Sequence, residues 1–261
     1  MRRTKIVCTL GPASSSREAI AALIRAGMDV ARLNTSHGEI DGHVALLQLV
    51  REVAREAGKH TGVLMDLGGP KLRLGELVGG QPVLLETGAG VALTAQPVEG
   101  TKEVLPIGYS RLTGDVRPGQ RVLLDDGKVE LLVEAAEPGR LRCRVVAGGE
   151  LRSRKGVAFP DSDLTLPAIT ARDEEAIRAG TAAGVDLFAL SFVRDAEDVR
   201  RARALIARAG GKVPIIAKIE RRQAVEELDA ILAEADGVMV ARGDLGVELP
   251  PEDVPVQQRA I

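Results

Sequence analysis

Lys218 and Glu220 stand two residues apart in Ile215-Ile216-Ala217-Lys218-Ile219-Glu220, and Asp244 closes a second apolar run, Gly237-Val238-Met239-Val240-Ala241-Arg242-Gly243-Asp244. Side chains alternate along an extended strand, so Lys218 and Glu220 share one face while Ile219 takes the other. An ammonium and a carboxylate buried on one face need a shared partner. A carboxylated, phosphorylated substrate bound through a divalent cation would provide it, because Glu220 and Asp244 are hard oxygen donors and Lys218 can meet phosphate charge. The competing account of the same residues is an internal Lys-Glu ion pair.

These residues need elements to hold them, and both outer parts of the sequence alternate strand-length apolar runs with amphipathic helices. The strands are expected at Thr4 to Thr9, Asp29 to Leu33, Gly62 to Met65, Asp186 to Ala189, Val213 to Ala217 and Gly237 to Val240, apolar enough for burial on both faces. Between them, Ser15-Ser16-Arg17-Glu18 reads as a capping box opening a helix closed by Gly27, and a second helix is expected from Gly42 to Ala57. Further helices start at Thr170 and Asp195, and Val225, Leu228, Ile231 and Leu232 stripe another. This is the pattern of an α/β fold of (β/α)8 TIM-barrel type, incomplete, with six strands visible.

From about Lys71 to Pro160 the helical period disappears. Short β-rich runs at Val83 to Glu86, Val91 to Leu93, Arg121 to Leu124, Val129 to Val133 and Leu141 to Val146 are split by Gly, Pro and Asp. They predict a small all-β barrel domain at 71–160, inserted after the third strand of a barrel domain made of 1–70 and 161–261. An insertion at the carboxyl end of a barrel strand is placed to act as a lid over the catalytic face.

In such a barrel the strand ends meet at one mouth, and here they are polar. They read Arg32-Leu33-Asn34-Thr35-Ser36-His37-Gly38, Asp66-Leu67-Gly68-Gly69-Pro70-Lys71-Leu72-Arg73, Ser191-Phe192-Val193-Arg194, Lys218-Ile219-Glu220 and Arg242-Gly243-Asp244. Arg32 and Arg73 can each fork onto phosphate or carboxylate oxygens, and the Ala241 to Gly243 backbone can offer N–H groups to an anion.

Composition narrows the classes. The 261 residues are 45% hydrophobic, enough for a packed core, and the formal net charge of -2 with one Tyr and no Trp argues against nucleic acid as a partner. The two cysteines, Cys8 and Cys143, lie far apart and outside metal-ligand spacing. No apolar run approaches a membrane span, and Met1-Arg2-Arg3 precedes a strand-length segment rather than a signal-peptide core. A cytoplasmic protein with no membrane partner is expected.

Several segments together resemble pyruvate kinase. They are Arg3 to Ser14, Gly27-Met28-Asp29-Val30-Ala31-Arg32-Leu33-Asn34 with Ser36-His37-Gly38, Leu123-Leu124-Asp125-Asp126-Gly127, Lys155-Gly156-Val157, and Ala217 to Leu249 with its Val240-Ala241-Arg242-Gly243-Asp244-Leu245-Gly246 signature. The resemblance runs the length of the chain in family order. It implies transfer of the phosphoryl group of phosphoenolpyruvate to ADP, yielding pyruvate and ATP, with Mg²⁺ held by Glu220 and Asp244 and Lys218 as the catalytic residue stabilising the phosphoryl group. Arg32, Lys218, Gly243 and Asp244 would bind phosphoenolpyruvate. Arg73, His37 and Lys155 would face the nucleotide, with Asp126 a weaker candidate.

The family's potassium site corresponds to Asn34, Ser36 and Asp66, but Leu67 stands where a threonine is expected and Lys71 where an acid is expected. A lysine there can supply the charge that potassium brings, so this departure from the family pattern predicts an enzyme without a K⁺ requirement. It also implies a homo-oligomer when full-length. Against the family pattern the chain stops at Ile261, short of two barrel strands, a threonine near the proton-delivery step and a C-terminal domain, which suggests a fragment or a gene that has lost its end. Two alternatives accompany the kinase reading. One is a catalytically weak fragment that keeps phosphate and metal ligands, and the other is a different phosphoenolpyruvate-using barrel such as an aldolase or mutase, against which the inserted β domain speaks.

Overall fold

Runs such as Gly62-Val63-Leu64-Met65-Asp66-Leu67 form strands buried along nearly their whole length, which requires a layer on each face. In the computed structural model, which describes residues 3–261 and leaves Met1 and Arg2 of the basic start outside the described residues, the chain opens with β1 (Val7–Leu10), α1 (Arg17–Ala26), β2 (Val30–Asn34), α2 (Ile40–Glu56) and β3 (Gly62–Leu67). A β-rich stretch follows, with β4 (Val83–Leu85), β5 (Gly90–Thr94), β6 (Val104–Pro106), the short α3 (Leu112–Asp115), β7 (Arg121–Leu124), β8 (Val129–Glu137), β9 (Arg140–Ala147), β10 (Gly149–Leu151) and β11 (Val157–Ala158). Alternation then resumes with α4 (Ala171–Ala182), β12 (Leu187–Leu190), α5 (Ala196–Arg208), β13 (Ile215–Ile219), α6 (Arg222–Glu226), α7 (Leu228–Glu234), β14 (Gly237–Val240), α8 (Arg242–Glu248) and α9 (Val254–Ala260).

The chain divides into two units. The first comprises the residues up to Pro70 together with Ala168–Ala241, and the second comprises Lys71–Pro167 with Arg242–Ile261. In the first unit a six-stranded sheet has the order β1-β2-β3-β12-β13-β14, and every neighbouring pair is parallel. Parallel neighbours need a crossover between them, and the helices supply it. In α5, Val199, Ala202, Leu205 and Ile206 are all buried, the face that its spacing predicts.

Local differences from the sequence expectation have local causes. Ser16 rather than Ser15 caps α1, accepting from the Ala19 N–H at 3.2 Å, while the Ser15 hydroxyl turns back to the Pro12 carbonyl. The helix expected from Gly42 begins two residues earlier, at Ile40, whose side chain is buried. The expected helix through Val225 and Leu232 is broken at Glu227 into α6 and α7, which leaves Leu232 42% exposed and Ala224 and Ile231 as the buried contacts. Strand β13 runs two residues beyond Ala217, because Lys218 and Ile219 pair with Met239 and Val240.

In the second unit, β11-β7-β8-β9-β5-β6 form one sheet, antiparallel except for the β5 and β6 pair, and β10 and β4 form a separate ribbon. Strand β9 alternates strictly, with Leu141, Cys143 and Val145 buried and Arg140, Arg142 and Arg144 exposed. That is the period of a sheet with one solvated face. Leu93, Leu105, Ile107, Leu124 and Leu131 belong to the same core.

Candidate active site

Strand β13 delivers Lys218 at its penultimate position, and Glu220 follows one residue past the strand's end. Lys218 is only 7% exposed, and Asp66 and Glu220 are 1% exposed. A buried ammonium persists only where its N–H groups are answered. Here Lys218 Nζ donates to Ser191 Oγ at 2.7 Å and pairs with Glu220 Oε1 at 2.7 Å and Asp66 Oδ1 at 3.3 Å. Burial alone would lower the Lys218 pKa, but the charges of Glu220 and Asp66 outweigh it and hold the group above its ordinary value. All three ammonium hydrogens have an acceptor.

Asp66 comes from β3, two strands from β13, and joins a second cation to the first. Its Oδ2 accepts from Arg32 Nε at 2.7 Å and also pairs with Arg32 Nη2, while Arg32 Nη1 donates to Thr9 Oγ1 at 2.9 Å at the end of β1. A guanidinium has five N–H groups, so two of Arg32's remain for another acceptor, and its side chain is 27% exposed. Glu220 Oε2 accepts the Phe192 backbone N–H at 2.7 Å. Phe192 adopts φ 56°, a left-handed conformation uncommon for an aromatic residue, and the Arg221 guanidinium lies 5.6 Å from its ring centroid. Gly69, with φ 63°, packs against that ring, where a Cβ would meet Phe192 Cδ2 at 2.7 Å.

The structure therefore brings together Lys218, Glu220, Asp66 and Arg32, and Asn34 of β2 pairs in register with Asp66. Asn34 Oδ1 accepts the Ser36 N–H at 3.1 Å, so Asn34 and Ser36 share one turn with His37 next to them. Asp66 and Ser191 stand among the polar strand ends of the sequence, but their roles come from the structure: Ser191 accepts from Lys218, and Asp66 is the carboxylate joining Lys218 to Arg32. Thr9, the further partner of Arg32, was not singled out by sequence. The available signal is positional: Thr9 pairs with Arg32 in register, and Ala189 with Asp66.

Another group of expected residues belongs to the second unit. Lys155 pairs with Asp125 Oδ1 at 2.9 Å, and Lys128 with Asp125 Oδ2 at 2.9 Å. The hydrogen bond from Lys155, then that from Lys128, holds the Asp125 carboxyl below its usual range. Asp125 and Asp126 turn the chain with φ 50° and 57°. Arg73 bridges to Gly156 and donates Nη1 to the Arg154 carbonyl at 3.2 Å, which ties it to the Lys155 segment. Gly243 and Asp244 lie in α8, and Asp244 Oδ1 is 3.8 Å from Lys71 Nζ.

Glu220 belongs to the first unit and Asp244 to the second. Glu220 and Asp244 are carboxylates, the donors that Mg²⁺ takes in ones and twos while water and substrate oxygens complete its shell. Among the described residues no group of three or more His, Cys, Asp and Glu side chains is close enough to hold a metal on its own.

The first unit is a parallel α/β domain with buried, charge-paired side chains at the carboxyl ends of its strands. A family model described as pyruvate kinase, barrel domain, matches residues 1–261, and the chain belongs to that family. It is 48% identical to pyruvate kinase 2 of Synechocystis sp. over 100% of this chain and 44% of that protein. It is 47% identical to the pyruvate kinases of Corynebacterium efficiens and Mycobacterium tuberculosis, in each case over 100% of this chain and 55% of the relative. The chain spans about half the length of the curated relatives it matches.

Proposed function

We propose that this chain carries the phosphoryl-transfer centre of a pyruvate kinase, moving the phosphoryl group of phosphoenolpyruvate to ADP to give pyruvate and ATP. The observation that carries the reading is the buried Lys218 ammonium, held charged between Asp66, Glu220 and Ser191 in a chain of this family. A phosphoryl group in transfer spreads negative charge over its oxygens and needs that charge met by groups already in place. Lys218 meets it by exchanging its longest contact, to Asp66, for a phosphoryl oxygen. Arg32, anchored by Asp66 and Thr9, turns its two remaining N–H groups to substrate phosphate. The Gly243 backbone and Asp244 hold the rest of phosphoenolpyruvate, and His37, Arg73 and Lys155 serve the nucleotide, with Asp126 in a lesser role. Mg²⁺ held by Glu220 and Asp244 would supply neutralisation of phosphate charge.

In the same reading 1–70 and 161–261 form an incomplete (β/α)8 barrel domain, and 71–160 is an inserted β-barrel lid. Asn34, Ser36 and Asp66 occupy the family's potassium positions, but Asp66 is already paired with two cations, and Lys71 supplies the charge in place of K⁺. A cytoplasmic setting belongs to the same reading of the chain as a pyruvate kinase. Both cysteines are free, and no helix among the described residues is long and apolar enough to cross a membrane. Homo-oligomer formation is assigned to the full-length protein.

Pyruvate formation from phosphoenolpyruvate and MgADP tests the reading, with Lys218→Met expected to lower turnover by about 100- to 1000-fold. A variant as active as the parent chain would overturn it. Binding of ADP and Mg²⁺ without turnover would instead assign the chain to binding alone. Turnover that needs K⁺ and fails in Na⁺ or tetramethylammonium would remove the role given to Lys71.

A further inference from the structure

The first turn of α4 reaches the loop that follows β2. Arg172 Nε donates to the Thr35 carbonyl at 2.9 Å and Arg172 Nη2 to the Gly38 carbonyl, so one planar fork grips the chain on both sides of Ser36 and His37. The rest of that loop is tied as well. Thr35 donates its N–H and its hydroxyl to the Asp66 carbonyl at 3.0 and 2.9 Å, and the His43 ring donates Nε2–H to the His37 carbonyl at 2.7 Å. Carbonyls outside regular structure must find donors, and a guanidinium that serves two at once fixes their separation and orientation together.

Arg172 is itself held. Thr170 and Asp173 form a capping box at the start of α4, and the buried Asp173 also accepts the Gly69 N–H at 3.3 Å. Among the described residues the guanidinium grips backbone carbonyls rather than a carboxylate, so its positive charge stays available to an anion near the loop. We infer that Arg172 is a positioning residue for ADP: it orients Ser36 and His37 and adds positive potential beside them. This rests on the reading of His37 as a nucleotide residue.

The test measures ADP binding with Mg²⁺ by calorimetry on the complete chain, beside hydrogen exchange over residues 35–38. Arg172→Ala is expected to weaken ADP about tenfold and to speed exchange in the loop, since hydrogen bonds from a charged donor are lost. Arg172→Lys keeps the charge but not the fork, so it recovers part of the affinity, and added methylguanidinium recovers part of it in Arg172→Ala. Arg178→Ala, which removes an exposed charge from the same helix, leaves both readings unchanged. Wild-type ADP affinity in Arg172→Ala, or unchanged exchange at 35–38, would overturn the inference. A parent chain that does not bind ADP overturns the nucleotide reading and the ADP role with it, while the exchange arm, which needs no ligand, still decides whether Arg172 holds the loop.

Discussion

In the first unit Asp66, Lys218 and Glu220 are buried where parallel strands end, and the two carboxylates meet the Lys218 ammonium at 3.3 and 2.7 Å. In the second unit the strands β5, β7, β8 and β9 bury leucine and valine, and the charges of β9 alternate outward to meet Glu134 and Glu137 in solvent. Its buried carboxylate Asp125 stands at the turn between β7 and β8, answered by two lysines. The difference follows from topology. Parallel strands buried on both faces leave polar groups only their carboxyl ends, where loops converge, whereas an antiparallel sheet with one wet face can place charge at every second residue. Charge inside the first unit therefore costs desolvation and has to be held in a network, while charge on β9 costs little and contributes little.

The comparison breaks most sharply if buried and exposed charges turn out to be equivalent. Lys218→Met leaves Asp66 and Glu220 buried without their ammonium and should destabilise the chain by about 3–5 kcal/mol, read from urea unfolding. Because the Lys218 pKa is raised in the folded state, its contribution is complete below the unfolded lysine value of roughly 10.4 and is lost only as pH rises through the higher folded value. A Lys218→Met chain as stable as the parent at neutral pH would refute the network.

Glycine gives the next largest contrast. Gly69 and Gly127 both adopt positive φ, 63° and 85°, but a Cβ at Gly69 would strike Phe192 while one at Gly127 would meet nothing within 4 Å. Gly69→Ala should cost about 2–3 kcal/mol through strain and overpacking together, and Gly127→Ala about 1 kcal/mol through strain alone. Equal losses would remove the packing argument.

A smaller effect belongs to a polar cluster beside the second unit's core. The Tyr109 hydroxyl donates to Asp115 Oδ2, and the Thr165 N–H reaches both, at 3.0 Å to the hydroxyl oxygen and 2.7 Å to the carboxylate. Burial first, then the hydrogen bond and charge of Asp115, push Tyr109 up to about 12. Burial alone would raise Asp115, but the donors from Tyr109 and Thr165 hold it at about 2. The folded state thus favours neutral tyrosine and ionised aspartate. Its stabilisation is present between the unfolded values of roughly 3.9 and 10, and fades as pH falls through about 2 or rises towards about 12. With one Tyr and no Trp in the chain, absorbance of the phenolate reads this residue alone, and a midpoint near the ordinary value of roughly 10 would break the cluster. At the small end, Arg142, 60% exposed and 3.9 Å from Glu134, should cost under about 0.5 kcal/mol on replacement by Ala in the same unfolding measurement.

Much of the first unit was legible because its signals are local. Near-continuous apolar runs, a threonine-aspartate capping box at Thr170 and the spacing of Val199, Ala202, Leu205 and Ile206 each depend on neighbours within one or two turns. The break at Glu227 and the extra residues of β13 were not, because one depends on how a helix meets its surroundings and the other on a partner strand in register.

By itself the sequence determined which residues carry charge, that Lys218 and Glu220 share a face, and that the chain matches the pyruvate kinase pattern from end to end. Only the tertiary structure decided that Asp66 joins Lys218 to Arg32, that Ser191 takes the third ammonium hydrogen, and that Arg172 grips the loop around His37. Alternation and periodicity are properties of one segment, whereas the partner of a buried charge is chosen by sheet order and register, which bring residues more than a hundred positions apart within hydrogen-bonding reach.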